Sequence, residues 1–372
     1  MKISYIHGIC VKNDAISNSI RDEITWLSSE VQNDVRLYTY ACDHVDLPFT
    51  IVSDLRDVAF DLHFQSSDLV VFHFGVFYPL FHLLPVAPAR AKRLIVFHNI
   101  TPKQFVSDEN HATIDKSFQQ MANIVFADHV VCVSQTNLDV LRMAGIHTPA
   151  TVLPLAVHSD LQMPESKPSA IDGLIRLAFV GRFVRPKGPG ELLEALHRVL
   201  QRNQSMQLSL DMVGNLSFSD AVLLEEIRKT AGVMQQSFGD RVKIAIHGNA
   251  SEITKRQILQ DADLFVLPTY HEGFCVPIVE ALASGCKVIA YENSNTPAIA
   301  GGLAKLTPTG DIDAMSCAIA DSIEEITSSA WRSTDIGSYT EYARRTRQYV
   351  QQYSPELAKQ RFLDFIKHFI SS

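Results

Sequence analysis

Short apolar runs rich in β-branched residues alternate with longer amphipathic stretches through the first 155 residues. This alternation predicts β-strands separated by α-helices, of which Asp14–Leu27 and Gln135–Met143 are examples. Strands joined in this way form a parallel sheet whose faces are covered by helices. The predicted strands are Ile3–Ile6, Val35–Thr39, Leu69–Phe72, Leu94–Phe97, Val130–Val133 and Val152–Leu155.

A polar segment with two prolines, HSDLQMPESKPSAID at 158–172, interrupts the pattern and predicts a linker. A second alternating series follows, with helices over Pro189–Leu200 and Ser219–Gln235, and the pattern after residue 326 is helical only. The second set of predicted strands is Ile175–Val180, Leu208–Val213, Val242–Ile246, Leu264–Leu267 and Lys287–Ala290. The predicted division is a doubly wound domain at 1–158, a linker at 159–172, a second doubly wound domain at 173–350 and a C-terminal helix at 351–372.

The composition limits the class of protein. The 372 residues exceed the usual size of one hydrophobic core and therefore favour two domains. A formal net charge of −8 argues against nucleic-acid binding, which needs clustered lysines and arginines. The six cysteines have no metal-ligand spacing, and several stand in apolar runs, so we expect buried core residues in a reducing compartment.

The expected location follows from the apolar runs and the basic runs. The first apolar run is too short for a signal peptide, and no run of about 20 apolar residues could span a bilayer, so we expect a cytoplasmic protein. ARAKR at 89–93 and ARRTR at 343–347 could touch anionic lipid head groups. Solvated surfaces are the preferred explanation for both runs, and peripheral attachment to the membrane stays open.

Two cations lie in the loop after the first strand of the second series. In AFVGRFVRPKGPGELL the strand ends at Gly181, and Arg182, Lys187 and Gly188 precede a helix that begins near Pro189. Such a junction offers free backbone N–H groups and the positive end of a helix, and two cations would hold a diphosphate. A basic surface loop before a proline-started helix is an equally weighted alternative.

Two glutamates separated by seven residues stand in HEGFCVPIVEALASG. Glu272 follows a predicted strand, and Glu280 lies in the first turns of the next helix. Gly273 lets the backbone approach a ligand closely, and the amides of residues 273–276 could bond sugar hydroxyls. Two surface glutamates are the alternative, but a carboxylate inside so apolar a helix needs a partner.

Together these segments resemble the retaining glycosyltransferases of family 4, which have the GT-B fold. Glu272 and Glu280 match the E-x7-E motif of that family, and GR…KG at 181–188 matches its donor-phosphate loop. Further segments in the expected order are Val213–Asn215, His247–Ile253 and Asp261–Thr269. The resemblance implies two doubly wound, Rossmann-like α/β domains that face each other across a deep cleft, with the last helix crossing back to the acceptor-side N-terminal domain.

The resemblance also implies roles for these residues. Arg182 and Lys187 would neutralise the donor diphosphate, Glu280 would bind the ribose hydroxyls, and Glu272 would contact the transferred sugar. The backbone amides implied in donor binding are those of Gly273, Phe274, Cys275 and Val276. In this family the leaving phosphate is thought to assist the acceptor on the same face, which retains the anomeric configuration. No cofactor is expected beyond the nucleotide-sugar donor substrate.

The N-terminal domain supplies two further candidates. His98 directly follows strand Leu94–Phe97, and in similar enzymes a histidine there lies near the sugar and the acceptor; a histidine that caps a strand end is the alternative. Gly8 follows the first strand, where the family carries a glycine-rich loop that approaches the donor phosphates and the acceptor, although the usual double glycine is absent here. The resemblance thus implies that Gly8 takes part in donor binding. For His73 and Phe74 core packing is preferred, and a place on the acceptor side is the alternative.

One short acidic motif is set aside. DAD at 261–263 could mimic the metal-binding DxD of another glycosyltransferase fold, but it directly precedes a strand and is interpreted as a structural turn. No metal site is therefore predicted.

The sequence thus predicts retaining transfer of a hexose from a UDP- or GDP-linked donor to a glycan or lipid-linked acceptor, as in bacterial surface polysaccharide or lipopolysaccharide assembly. HNITP at 98–102 resembles mannosyltransferase-like members of that assembly, so GDP-mannose is the first donor to test. A nucleotide-sugar epimerase or hydrolase on the same fold, and a non-catalytic sugar- or nucleotide-binding partner, are the alternatives.

Overall fold

The computed structural model describes residues 1–30, 32–159, 165–333 and 338–371, so part of the predicted linker lies outside the described residues. The chain divides into two units, and each contains one large parallel sheet. The first unit joins Met1–Ala156 to the C-terminal residues from Pro355 onward, and the second unit is Val157–Ser354.

The strands of the first unit are β1 (Lys2–Ile6), β2 (Ile9–Cys10), β3 (Asp34–Thr39), β4 (Ala41–Cys42), β5 (Phe49–Ile51), β6 (Leu69–Phe74), β7 (Lys92–Phe97), β8 (His129–Cys132) and β9 (Ala150–Val152). Those of the second unit are β10 (Ile175–Val180), β11 (Leu208–Gly214), β12 (Val242–Gly248), β13 (Leu264–Leu267), β14 (Lys287–Glu292) and β15 (Ala304–Pro308). The sheet orders are β5-β3-β1-β6-β7-β8-β9 and β12-β11-β10-β13-β14-β15, and β2 pairs separately with β4.

Helices connect the strands of both sheets. They are α1 (Ala15–Ser28), α2 (Leu55–Ala59), α3 (Leu62–Gln65), α4 (His111–Met121), α5 (Gln135–Met143), α6 (Ser169–Asp172), α7 (Pro189–Arg202), α8 (Ala221–Phe238), α9 (Glu252–Asp261), α10 (Val276–Ala283), α11 (Thr296–Ala300), α12 (Ile312–Thr327), α13 (Tyr339–Val350) and α14 (Pro355–Ser371). Of these, α1 begins after Asp14, whose carboxylate accepts a hydrogen bond from the Ser17 N–H at 2.9 Å.

The centre of each sheet forms the core. All residues of β6 and of β13 are buried, which accounts for their continuous apolar sequences. The strand order reverses between β1 and β6 in the first sheet and between β10 and β13 in the second. In doubly wound sheets, ligands bind outside the carboxyl ends of the strands at such a reversal.

The last helix, α14, belongs to the first unit, while α13 belongs to the second. The ring of Phe362 lies 5.9 Å from the ring of Trp26 on α1, and the ring of Phe365 lies 5.1 Å from that of His129 on β8. Aromatic contacts thus hold α14 against the first sheet and its first helix.

The predicted strands agree with the structure to within one or two residues at each end, apart from the last strand of the first unit. That strand spans Ala150–Val152 instead of Val152–Leu155. Pro154 has no N–H to donate to a neighbouring strand, which ends the ladder early. The short strands β2, β4 and β5 and the half-exposed edge strand β15 lack a long apolar run and were not predicted.

The prediction that the cysteines are buried core residues is wrong for two of them. Cys317 is exposed and Cys42 is partly exposed, whereas the other four are buried. On α12 the buried positions include Met315, Ala318 and Ile319, and this helical spacing places Cys317 on the opposite face. Among the described residues, no helix has both the length and the apolar character needed to cross a bilayer.

Candidate functional site

Two loops meet at the strand reversal of the second unit. One follows β10 and carries Arg182 and Lys187, and the other follows β13 and carries Glu272. The N–H of Tyr270 donates to the carbonyl oxygen of Pro186 at 2.7 Å, which ties the loops together. Because β10 and β13 are neighbouring parallel strands, the side chains of both loops share one edge of the sheet.

Gly188 allows the two loops to touch. Its φ of +63° lies in the left-handed region, and a Cβ at this position would be 2.1 Å from the carbonyl oxygen of Pro268. A glycine is therefore required both by the backbone conformation and by the space available.

Lys187 and Glu272 form an ion pair across these loops. The Nζ of Lys187 lies 2.5 Å from Oε1 of Glu272, and the side chains are only 16% and 7% exposed. Each charge removes most of the cost of burying the other. Arg182, the second predicted phosphate ligand, is exposed, and no ion pair is found for it within the described chain. Its guanidinium is available to an anion from solvent.

The amide run predicted for the sugar leads directly into α10. Cys275 adopts φ +80°, and Asn295 donates from Nδ2 to the carbonyl oxygen of Phe274 at 2.8 Å. These features fix the backbone from Gly273 to Val276 at the N-terminus of α10, where helix amides favour negative or polar groups. The Cys275 side chain is buried, and burial raises its pKa well above the ordinary value. Its predicted role was through the backbone.

Glu280 lies in the second turn of α10 and has a partner that the sequence did not reveal. The Nζ of Lys255 on α9 is 2.8 Å from Oε1 of Glu280 and 2.9 Å from Oε2 of Glu252. Burial opposes the charged ammonium, but the two carboxylates outweigh it and raise the pKa of Lys255. The expectation that an acid in so apolar a helix needs a partner could have prompted a search for a cation.

In the first unit, His98 follows β7 and its backbone N–H donates to the carbonyl oxygen of Phe74 at 2.8 Å. Its ring Nε2 is 2.9 Å from Nδ1 of His73, and Nε2 of His73 is 3.1 Å from Oε2 of Glu23. Burial lowers the pKa of His98 well below its usual value and that of His73 to about 3, and burial raises the pKa of Glu23 to about 8. Sequence reasoning did not find Glu23.

Gly8 lies at the end of β1, where a Cβ would come 3.2 Å from the Cβ of Tyr78. Its carbonyl oxygen accepts a hydrogen bond from the Tyr40 N–H at 2.9 Å. The alternative that His73 and Phe74 line the acceptor side is wrong, because both side chains are fully buried. Strand β6 is covered on both faces, and the Phe74 ring stacks on that of Phe81.

The DAD motif has the geometry of a structural turn. Asp263 accepts a hydrogen bond from the Arg176 N–H at 2.8 Å and another from the Ser169 hydroxyl. These bonds join the start of β13 to the start of β10 and to the first residue of α6. Among the described residues, no cluster of three or more histidines, cysteines or acids is placed to hold a metal ion.

Residues 175–325, which carry the two loops and both glutamates, match the family model described as "Glycosyl transferases group 1". The match covers less than half of the chain. The D-inositol 3-phosphate glycosyltransferase of Corynebacterium diphtheriae is 31% identical over 121 residues, which is 32% of this chain and 27% of that protein. The match therefore spans about a quarter of the length of this curated relative.

Solved structures resemble the chain over its whole length. Sucrose-phosphate synthase from Thermosynechococcus elongatus has a TM-score of 0.74 at 19% identity and covers 100% of this chain and 99% of its own. Anabaena HepE in complex with UDP and glucose has a TM-score of 0.73 at 16% identity and covers 99% of each chain. With the two parallel-sheet units, this likeness confirms the predicted GT-B fold class.

Proposed function

We propose that this protein is a retaining glycosyltransferase of the family 4 type, which transfers a hexose from a nucleotide-sugar donor to a glycan or lipid-linked acceptor. The observation that carries the proposal is the buried ion pair between Lys187 and Glu272, formed by two loops at the strand reversal of a group 1 segment. A cation and an acid held together there suit a ligand that has both an anionic diphosphate and sugar hydroxyls.

The donor-binding roles follow from charge and position. The diphosphate takes the exposed guanidinium of Arg182 and the ammonium of Lys187, which stabilise the negative charge that develops as the sugar leaves. Glu280 accepts hydrogen bonds from the ribose hydroxyls. Glu272 and the amides of Gly273 and Phe274 bind the hydroxyls of the transferred hexose.

The donor is UDP- or GDP-linked, and mannose is the first hexose to test. The acceptor belongs to bacterial surface polysaccharide or lipopolysaccharide assembly, with the protein in the cytoplasm or at the inner face of the membrane. The HepE structure with UDP and glucose supports a nucleotide-sugar donor through the shared fold. A bound metal has no part in this mechanism.

Thermal unfolding of the full chain with UDP, GDP, ADP and their hexose conjugates tests donor binding, because a ligand of the native state raises the melting temperature. Lys187→Ala should abolish the shift produced by the preferred nucleotide sugar. Lys305→Ala is the matched control, because it removes a lysine that pairs with Asp321 on the surface of the same unit. Equal shifts in both variants would refute the phosphate assignment.

Transfer itself is tested by incubating the identified donor with a panel of glycans and lipid-linked saccharides. A product of retained anomeric configuration, lost in Lys187→Ala and kept in Lys305→Ala, would support the proposal. Conversion of the donor to its epimer or to free sugar without acceptor would identify the epimerase or hydrolase instead. Donor binding with no modified acceptor would favour a binding partner.

A further inference from the structure

A row of three titratable side chains runs through the first unit, from the buried Glu23 and His73 to the partly exposed His98. It begins at Glu23 on α1, passes through the fully buried His73 at the end of β6, and reaches His98 after β7. The two ring-to-neighbour distances, 3.1 and 2.9 Å, are those of hydrogen bonds. Among the described residues, no hydrogen-bond partner is found for the second ring nitrogen of His98, Nδ1.

Both ends of the row are held in place. The hydroxyls of Tyr5 and Ser19 lie 3.1 and 3.0 Å from the two carboxylate oxygens of Glu23. The backbone of His98 is fixed by its hydrogen bond to β6 and by close packing on Gly75, where a Cβ would come 3.3 Å from the Cβ of His98. The carboxylate of Glu23 and the backbone of His98 are thus held on opposite sides of the His73 ring.

We propose that Glu23 and His73 are positioning residues that determine which ring nitrogen of His98 carries its proton. The hydrogen bond made by one nitrogen of a neutral imidazole decides the state of the other. When Glu23 is protonated, its O–H donates to Nε2 of His73, Nδ1–H of His73 donates to Nε2 of His98, and His98 carries its proton on Nδ1.

When Glu23 is ionised, every hydrogen bond in the row reverses. Nε2–H of His73 donates to the carboxylate, Nε2–H of His98 donates to Nδ1 of His73, and Nδ1 of His98 holds a lone pair. The two states differ by one proton, which leaves or enters at Nδ1 of His98, while both rings stay neutral. A hydroxyl proton accepted at Nδ1 would thus be balanced by protonation of the buried Glu23.

The surroundings favour a switch between these two neutral-ring states. Among the described residues, the titratable groups that act on the row are Tyr5, His7 and Asp22, and the Tyr78 hydroxyl donates to the backbone carbonyl oxygen of His73. Burial holds the pKa of His73 near 3 and keeps that of His98 low, whereas burial raises the pKa of Glu23 to about 8. Glu23 is therefore the group that changes its ionisation, while the proton itself enters or leaves the row at Nδ1 of His98.

The inference is tested without substrate, by NMR of the full chain labelled with 15N in its histidine rings, over a pH range around 8. Signals are assigned with His98→Gln and His73→Gln. Both rings should change tautomer at one common midpoint, and Glu23→Gln should remove that midpoint, because the amide does not titrate. His63→Gln is the matched control, because it alters a buried histidine bonded to Ser4 outside the row.

Two milder variants keep the test decisive if Glu23→Gln unfolds. Ser19→Ala and Tyr5→Phe each remove a hydroxyl that stabilises the carboxylate, so both should move the midpoint to higher pH. A His98 ring that keeps one tautomer throughout, or a midpoint unchanged in all three variants, would overturn the inference.

The expected effect of the same tautomer change on catalysis rests on the proposed function. The pH profile of kcat should carry a step at the NMR midpoint, with KM unaffected, and Glu23→Gln should abolish the step. Superposable profiles for the parent and Glu23→Gln would overturn a role in transfer. A common midpoint in a protein that transfers no sugar would support the inference and refute only the proposed function.

Discussion

Two glycines two residues apart should respond in opposite ways to the same substitution. Gly188→Ala places a methyl group on a left-handed residue, 2.1 Å from the carbonyl oxygen of Pro268. Gly190→Ala adds the same methyl group in the first turn of α7, where no heavy atom lies within 4 Å apart from its chain neighbours and the backbone of its own helix.

The expected energies have opposite signs. A non-glycine residue in the left-handed region costs about 1–2 kcal/mol, and forced overpacking against a backbone oxygen adds about 1–3 kcal/mol. Gly188→Ala should therefore lower the unfolding free energy of the second unit by about 2 kcal/mol or more. Gly190→Ala should raise it by about 0.5–1 kcal/mol, because alanine loses less entropy in a helix than glycine.

The chain's own fluorophores allow this to be measured for one unit at a time. It has two tryptophans, Trp26 in the first unit and Trp331 in the second. In a Trp26→Phe background, urea unfolding followed by the fluorescence of Trp331 reports on the second unit, and linear extrapolation gives its free energy. Equal urea midpoints for the two alanine variants would refute the assignment of Gly188 as the contact between the loops.

Three further outcomes are expected. Lys255→Met should lower the unfolding free energy of the second unit by about 3 kcal/mol, because it leaves the carboxylate of Glu280 without its cation. Lys305→Met breaks an exposed ion pair and should lower the same free energy by less than about 1 kcal/mol. Similar losses of unfolding free energy in the two variants would contradict this prediction. Because the pKa of Glu23 rises from 4.5 to about 8 on folding, the folded unit keeps a proton that the unfolded chain releases, so the unfolding free energy of the first unit should fall as pH rises from 6.5 to about 8. Below pH 6.5 the lowered pKa values of His7, His73 and His98 act in the opposite direction, because the unfolded imidazoles bind protons that the folded ones do not. Unfolding followed by the first unit's tryptophan should show this fall in the parent and not in Glu23→Gln. A thiol reagent should modify Cys317 fastest in the native protein, and a fast phase that survives Cys317→Ser would show that another thiol is accessible.

The sheets could be predicted because their central strands are buried on both faces and therefore have continuous apolar sequences. The edge strands β5 and β15 could not be predicted in this way, because β15 is half-exposed and polar and β5 has only three residues. Pro154 indicates that β9 must end before it, because a proline has no N–H to donate, but the predicted strand ran on to Leu155.

The candidate donor residues could be found because each stands in a local pattern close to the end of a strand. Lys255 could not be found in this way, because it meets Glu280 from 25 residues away, and Glu23 meets His73 from 50 residues away. Such partners depend on how helices lie on the sheet, which local periodicity does not encode. The roles assigned to Arg182, Lys187, Glu272, Glu280, Gly8 and His98 stay predictions.

The membership of α14 in the first unit has a practical consequence for dissecting the chain. The polypeptide passes between the units twice, near residue 156 and again near residue 354. A fragment ending at residue 156 would lack the phenylalanines that pack against Trp26 and His129. A single backbone cut near residue 156 would leave the two units covalently joined near residue 354. The second unit is one continuous segment, residues 157–354, whereas a free-standing first unit needs residues 355–371 rejoined to residues 1–156.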